Sequence, residues 1–241
     1  MNLILFERDE ITRPLSRGDP RAEHLLRVLG RREGDTFDAG LVNGPRGKGT
    51  LVAVATDALQ LSFVWGAESP APAPITLIVG LPRPQTARDI LRDATALGVT
   101  AMHFVTTDKG ESSYQRSTLW STREWRRHLV LGAQQAFDTR LPEVTCGRSL
   151  LDVVGRVPER AVRVALDHYE ATTGLAGFRF AAASSPEVVL AFGPERGWSN
   201  AERAVLRGAG FALAHLGGRV LRTETAVVAA VTLARAQLGL I

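Results

Sequence analysis

The chain of 241 residues is poor in cysteine, lysine and long apolar runs. Its one cysteine, Cys146, excludes an intramolecular disulfide and any zinc site built from several cysteines. No apolar run approaches the roughly 20 residues that a membrane-spanning helix needs. Charges at Glu7 and Asp9 interrupt the apolar start, which therefore lacks the shape of a secretory signal. We expect a cytoplasmic protein that does not associate with membranes.

The shortage of lysine contrasts with an abundance of arginine. Only two of the 29 basic residues, Lys48 and Lys109, are lysines, against 25 acidic residues. The planar guanidinium of arginine binds phosphates and stacks on bases, so the bias favours a nucleic-acid partner. A GC-rich genome that favours arginine codons explains the same bias. The net charge of +4 is compatible with either interpretation.

A proline-rich segment predicts two domains. Residues 69–74 carry three prolines at alternate positions, which is typical of an extended spacer. We place the domains at residues 1–70 and 75–241. In the first, short apolar stretches between glycine and aspartate turns predict a small β-barrel, with a short helix near residues 20–29.

The second domain alternates between strands and helices. Apolar stretches predict strands at residues 75–80, 101–106, 162–166, 188–192 and 211–216. Capping boxes at Thr86, Ser121 and Ser199 predict the starts of three helices, and a fourth helix is predicted over residues 223–238. This alternation is typical of an α/β fold with a parallel sheet and helices on both faces. The last helix has almost no polar face, which favours burial against a second subunit, and hence a homodimer, over a purely internal position.

Two glycine-bearing loops follow strands in the last third of the chain, at residues 193–197 and 217–225. Ligands of open parallel sheets bind at the carboxyl ends of strands. Each loop alone is compatible with a simple turn, but together they favour a site for an adenosine-like ligand, flanked by Leu216 and Leu221. Neither loop has the Walker pattern, and the absence of G-x-G-x-x-G disfavours an ordinary dinucleotide fold. The histidines lack the spacing of metal ligands, and 167–170 is interpreted as a polar loop, so we expect no metal.

The loops also carry a family signature. The sequence GPERG at 193–197, followed by LGGRVLRTETA at 216–226, resembles that of the RsmE family of small-subunit ribosomal RNA uridine methyltransferases, in the SPOUT superfamily. The resemblance implies an α/β fold with a SPOUT-type parallel sheet and a C-terminal trefoil knot, preceded by a small PUA-like β-barrel. It also implies a homodimer that uses S-adenosylmethionine to methylate the imino nitrogen, N3, of a uridine. The implied partner is ribosomal RNA, free or in the assembled small subunit.

The resemblance implies roles for individual residues. The implied cofactor contacts are Leu81, Gly193, Pro194, Glu195, Gly197, Leu216, Gly217, Leu221, Thr223 and Thr225. Arg222 is implied to lie beside the target base, where its cation would stabilise the uracil anion. Glu224 or Glu195 would accept the proton or orient Arg222, whereas Glu224 would also suit the first turn of a helix without any catalytic role. The residues expected to contact RNA are Arg8, Arg17, Arg27, Arg196 and Arg219, although the first three also fit an ordinary solvated surface.

The chain departs from the family pattern in three places, one of which is Gln134-Gln135, where the family has Glu-Gln. Arg196 replaces a glycine of the usual Gly-Pro-Glu-Gly-Gly, and Asp93 and Ala96 replace the charged residues of the usual Lys-x-x-Glu. These changes keep open a paralogue that methylates another RNA, and a non-catalytic RNA-binding or assembly protein. A small-molecule methyltransferase is a third alternative, but the appended barrel speaks against it.

Overall fold

The computed structural model describes residues 3–178, 180 and 187–241. The chain forms two compact units that divide within the proline-rich spacer. Unit 1 comprises Met1–Ala71 together with Ala133–Leu141, and unit 2 comprises Pro72–Gly132 together with Pro142–Ile241. In the described part of the chain, no helix has the length and apolar character required to cross a membrane.

Unit 1 is built on a five-stranded sheet. Its strands are β1 (Ile4–Phe6), β2 (Leu15–Ser16), β3 (Thr36–Leu41), β4 (Pro45–Val54) and β5 (Ala58–Glu68), in the order β1-β3-β4-β5-β2. The β3–β4 and β4–β5 pairs are antiparallel, and β1 runs parallel to β3. Three phenylalanines form part of the core: the rings of Phe6 and Phe63 are 4.9 Å apart, and the Phe37 ring occupies the place where a Cβ of Gly49 would lie.

The helix predicted near residues 20–29 is an α-helix of one turn followed by a π-helical turn. Helix α1 spans Pro20–Glu23, and the π-helical segment spans His24–Val28. The Asp19 carboxylate accepts a hydrogen bond from the Arg21 backbone N–H, and Pro20 fixes the first helical φ angle. Local capping residues therefore set where this helix begins.

Unit 2 contains a six-stranded sheet in which every pairing is parallel. Its strands are β6 (Ala73–Gly80), β7 (Val99–Thr106), β8 (Glu143–Ser149), β9 (Val162–Leu166), β10 (Val188–Phe192) and β11 (Ala212–Ala214), in the order β11-β9-β10-β6-β7-β8. The predicted α/β fold with a parallel sheet is confirmed. Strand β8 was not predicted, because this half-buried edge strand lacks an apolar run and contains Gly147 at a φ of 92°.

The remaining α-helices are α2 (Pro84–Ala96), α3 (Thr118–Ser121), α4 (Trp125–Gln135), α5 (Leu150–Val154), α6 (Asn200–Gly208) and α7 (Thr223–Gln237). They belong to unit 2, except that α4 from Ala133 onward belongs to unit 1. The capping box predicted at Ser199 is confirmed, since its hydroxyl accepts from the Glu202 N–H and the Glu202 carboxylate accepts from the Ser199 N–H.

The helix starts predicted at Thr86 and Ser121 are wrong. Helix α2 begins two residues before Thr86, because Pro84 occupies the first turn, where its missing N–H costs nothing. Helix α4 begins only at Trp125. The hydroxyl of Ser121, the last residue of α3, donates to the carbonyl of Ser117, and Glu124 binds the Arg88 side chain.

Helix α7 is buried along one face. It packs against α2, β6 and β10, and its fully buried residues are Val227, Ala230, Val231 and Ala234. The single chain does not bury this helix on every side, because Val228 and Leu233 are only partly covered and Thr232 is exposed.

Candidate functional site

The two glycine-bearing segments meet in one cavity at the carboxyl ends of β9, β10 and β11. The cavity has a volume of about 140 Å³. Of the predicted cofactor residues, those that line it are Gly193, Pro194, Glu195, Gly197, Leu216, Leu221 and Thr223. Strand β11 ends at Ala214, two residues earlier than predicted, so Leu216 belongs to the loop and not to the strand.

Three predicted cofactor residues lie outside this lining. Leu81 is buried, and its N–H donates to the Val105 carbonyl, which extends the sheet. Gly217 has a φ of 101°, and its N–H donates to Nδ1 of His215, so it shapes the turn that carries Leu216. Thr225 is exposed on the first turn of α7.

The loop 193–197 is held in a tight conformation by close backbone contacts. The Pro194 carbonyl accepts from the Gly197 N–H at 2.7 Å, and Gly197 has a φ of 67°, which favours glycine. A Cβ at Gly193 would lie 3.0 Å from the Gly197 backbone. A Cβ at Gly80, the last residue of β6, would lie 2.6 Å from Cδ of Pro194. The loop therefore depends on glycines within it and beneath it.

The side chains of Glu195 and Arg196 have different environments. The carboxylate of Glu195 accepts a 2.9 Å hydrogen bond from the Arg83 N–H, which ties the loop to the start of α2. Arg196 is exposed and is not part of the cavity lining. The residue that departs from the family pattern therefore does not fill the cavity.

The sequence analysis did not predict that residues 167–169 form a third wall of the cavity. Asp167, His168 and Tyr169 follow β9 and line the cavity. Asp167 is 5% exposed; one carboxylate oxygen accepts from the Tyr169 and Glu170 N–H groups, and the other accepts from Nε of Arg203 at 2.7 Å. The Arg203 guanidinium also lies 5.6 Å from the centre of the Tyr169 ring. A polar residue directly after a strand at this edge was the available signal.

The same wall holds no metal-ligand arrangement. Over residues 3–178, 180 and 187–241, no group of three or more His, Cys, Asp or Glu residues is placed to bind a metal ion. The oxygens of Asp167 are instead occupied by an arginine and by backbone N–H groups. This loop thus has a structural role as a clamp between β9 and α6.

The two predicted catalytic residues lie at the start of α7, next to the cavity. Arg222 is exposed and is the N-cap residue, with its carbonyl accepting from the Ala226 N–H. Glu224 is half-buried in the first turn, where an acid interacts favourably with the helix dipole. Arg219 lines the cavity and is exposed.

The arginines of unit 1 divide into exposed and structural groups. The three predicted RNA contacts, Arg8, Arg17 and Arg27, are all exposed, and Arg27 pairs with Glu23 at 3.2 Å. By contrast, the half-buried Arg21 joins Glu10 and Asp19, each at 2.7 Å. Arg21 therefore stabilises the unit, while the other three leave their guanidinium groups accessible.

The fold and the cavity together define a class of protein. A family model described as an RNA methyltransferase domain matches residues 69–235, which include the sheet of unit 2 and every residue of the cavity. The class is therefore that of the RNA methyltransferase domains.

Relatives across nearly the whole chain identify the family. The ribosomal RNA small subunit methyltransferase E of Treponema pallidum is 35% identical over 242 residues, which cover 95% of this chain and 89% of the relative. The corresponding protein of Borreliella burgdorferi, methyltransferase E 1, is 25% identical and covers 95% of each chain. The chain belongs to the ribosomal RNA small subunit methyltransferase E, or RsmE, family, as the resemblance predicted.

Solved structures share the fold. A ribosomal RNA small subunit methyltransferase E from Neisseria gonorrhoeae, bound to S-adenosyl methionine, superposes with a TM-score of 0.81 at 22% identity, over 98% of this chain and 97% of that chain. A putative methyltransferase from Legionella pneumophila, also in complex with the cofactor, has a TM-score of 0.78 at 20% identity, over 93% and 92%.

Proposed function

We propose that the protein transfers the methyl group of S-adenosylmethionine to N3 of a uridine in small-subunit ribosomal RNA. The observation that carries the proposal is that the segments 193–197 and 216–223, which follow two different strands, both contribute residues to a single cavity. Family membership and the two cofactor-bound structures of the same fold support the choice of cofactor.

The residues of the cavity fit an adenosyl group. Loop residues without side chains, Gly193 and Gly197, let backbone N–H and C=O groups approach a base edge. Leu216 and Leu221 supply apolar surface for its faces. When bound, the cofactor supplies a methyl group that is already activated on a sulfonium, so the chain needs to provide no nucleophile of its own.

The contribution of this chain is then positioning and charge. It must hold the uracil nitrogen in line with the methyl group, which requires the base to leave its stack. Arg222 is exposed at the start of α7, and its cation would stabilise the uracil anion. Arginine does not lose its proton at neutral pH, so its contribution is electrostatic. Glu224, two residues further along, would orient Arg222 or accept the proton.

The test is to incubate the purified protein and radiolabelled S-adenosylmethionine with small ribosomal subunits from a strain that lacks the protein. We expect radiolabelled methyl incorporation, and mass spectrometry should locate it on N3 of one uridine. Arg222→Ala should lower the rate about 100-fold, as does loss of one transition-state donor in other enzymes, while the Kd for the cofactor changes little. Arg160→Ala, an exposed arginine outside the cavity, is the matched control. No incorporation into any ribosomal RNA would refute the proposal.

The departures from the family pattern do not favour a non-catalytic protein. Arg196 is exposed outside the cavity lining, and Asp93 lies on α2 with its carboxylate 2.8 Å from Nε of Arg92. Neither side chain therefore occupies space that the cofactor would need.

We propose that unit 1 is a PUA-like barrel that binds the RNA, free or in the assembled subunit, in the cytoplasm. The exposed guanidinium groups of Arg8, Arg17 and Arg27 support this role, with Arg196 and Arg219 as contacts on unit 2. Because phosphate contacts release counterions, Arg17→Glu should weaken RNA binding and flatten its salt dependence. Unchanged affinity and salt slope would contradict this role.

We also propose a C-terminal trefoil knot and a homodimer. After the edge strand β11, the chain passes beside the loop 193–197 and returns as α7 against β6, β10 and α2, as a threaded segment would. The partly covered Val228 and Leu233 on α7 supply apolar surface for a second copy. For the homodimer, sedimentation should give a mass of twice the 26.0 kDa of one chain. For the knot, mechanical unfolding of a chain held at its two ends should give an extended length shorter than that of an unknotted chain of the same number of residues.

A further inference from the structure

The loop that follows β7 makes several hydrogen bonds to the cavity loop, residues 193–198, and to the start of α6. Lys109 donates from Nζ to the Trp198 carbonyl at 2.8 Å and to the Arg196 carbonyl at 3.5 Å. The preceding Asp108 donates its backbone N–H to the Glu202 carboxylate at 2.8 Å, and its own carboxylate accepts from the Ser199 hydroxyl. These contacts join segments about 90 residues apart in the chain.

The cavity loop depends on such external bonds for its shape. Between Pro194 and Trp198 the internal backbone hydrogen bond is the one from Gly197 to Pro194, and Gly197 adopts a φ of 67°. On one side the Glu195 carboxylate is fixed by the start of α2. On the other side Lys109 binds the carbonyls of Arg196 and Trp198. Gly197 lies between the two residues that Lys109 binds, and Trp198 is one of them. Both Gly197 and Trp198 line the cavity.

We infer that Lys109 is a positioning residue that holds the cavity loop, residues 193–198, in place by binding the carbonyls of Arg196 and Trp198. The inference rests on the proposed function for the identity of the cofactor, but its structural part does not. An ammonium group suits this place because its three donors, on a flexible stem, can serve the carbonyls of both Arg196 and Trp198. Charge-assisted hydrogen bonds of this kind are stronger than neutral ones.

The first experiment measures hydrogen exchange in the cofactor-free protein. Lys109→Met keeps most of the apolar stem and removes the donors. We expect the hydrogen-bonded N–H groups of Gly197 and Ser199 to exchange about tenfold faster in this variant. The chain has only one other lysine, Lys48, which pairs with Asp38 on the surface of unit 1. Lys48→Met is therefore the matched control and should leave these rates unchanged. Equal rates in Lys109→Met and the wild type would overturn the inference.

The second experiment separates positioning from stability. In Lys109→Met we expect the KM for S-adenosylmethionine to rise about tenfold, the value for one lost charged hydrogen bond, with kcat and the melting temperature little changed. Lys109→Arg should restore most of the affinity. A fall in kcat together with the melting temperature, without rescue by arginine, would overturn the inference. A wild-type protein that binds no S-adenosylmethionine would instead refute the proposed function, while the exchange experiment would still decide the role of Lys109.

Discussion

Replacing Gly80, which does not itself line the cavity, by alanine should weaken cofactor binding. A methyl group at this position would lie 2.6 Å from Cδ and 2.7 Å from the backbone N of Pro194. Ordinary contact begins at 3.4 Å, so Pro194 must move by about 0.8 Å. A proline ring and its backbone N cannot rotate out of the way, and therefore the whole loop has to shift.

The size of the effect follows from the hydrogen bonds that the loop would make. A shift of about 0.8 Å stretches a bond of about 2.9 Å beyond the useful range. Losing one or two backbone bonds to the adenine, at about 1 kcal/mol each, weakens binding about 5- to 30-fold. The crowding itself should cost about 1–3 kcal/mol of the free energy of unfolding.

Calorimetric titration with S-adenosylhomocysteine, together with urea unfolding, measures both effects. Gly208→Ala is the matched control, since this glycine ends α6 and a Cβ there would meet nothing within 4 Å. Alanine at that position should leave binding unchanged and should stabilise the helix by about 0.5–1 kcal/mol. If Gly80→Ala binds the ligand as tightly as the wild type, the loop is not part of the cofactor site.

Three further predictions concern a buried ion pair, acid sensitivity and the single thiol. Arg203→Met leaves the Asp167 carboxylate buried without its partner and should cost about 3–5 kcal/mol in urea unfolding; a loss below about 1 kcal/mol would contradict this. A hydrogen bond from Arg21 holds the pKa of Glu10 below its usual 4.5, so the stability it adds is complete above pH 4.5 and is lost as the pH falls through the lowered value. The free energies of unfolding of the wild type and Arg21→Met, measured by circular dichroism, should therefore converge as the pH falls. A difference that stays constant with pH would refute the assignment. Burial raises the pKa of the Cys146 thiol to about 12, which lowers its thiolate fraction at pH 8 roughly 1,000-fold. Iodoacetamide should therefore alkylate the native protein far more slowly than the unfolded chain, whereas equal rates would exclude burial.

The parts of the fold that depend on local chemistry were predictable from the sequence. The buried strand 188–192 is a continuous apolar run, and the capping box at Ser199 satisfies its own backbone groups within four residues. The glycine loops were predictable for a similar reason, because tight turns need glycine at particular positions. Strand β8 was not, since a half-buried edge strand with a glycine at positive φ is formed by its pairing with β7.

The supporting parts of the site could not be predicted, because they arise from contacts between distant residues. Asp167 becomes a wall of the cavity through Arg203, which lies 36 residues further along the chain. Lys109 reaches carbonyls 87 and 89 residues away. A single sequence carries no signal for such pairs, since each residue by itself is typical of an ordinary polar loop.

The central claim is that residues 193–197 and 216–223 enclose one adenosyl group. A crystal structure of the protein with S-adenosylhomocysteine tests it most directly. We predict electron density for the adenine between these two segments, with Leu216 and Leu221 at its faces and the sulfur directed toward the start of α7. Density for the ligand at any other place on the molecule, or none at millimolar ligand, would contradict the account.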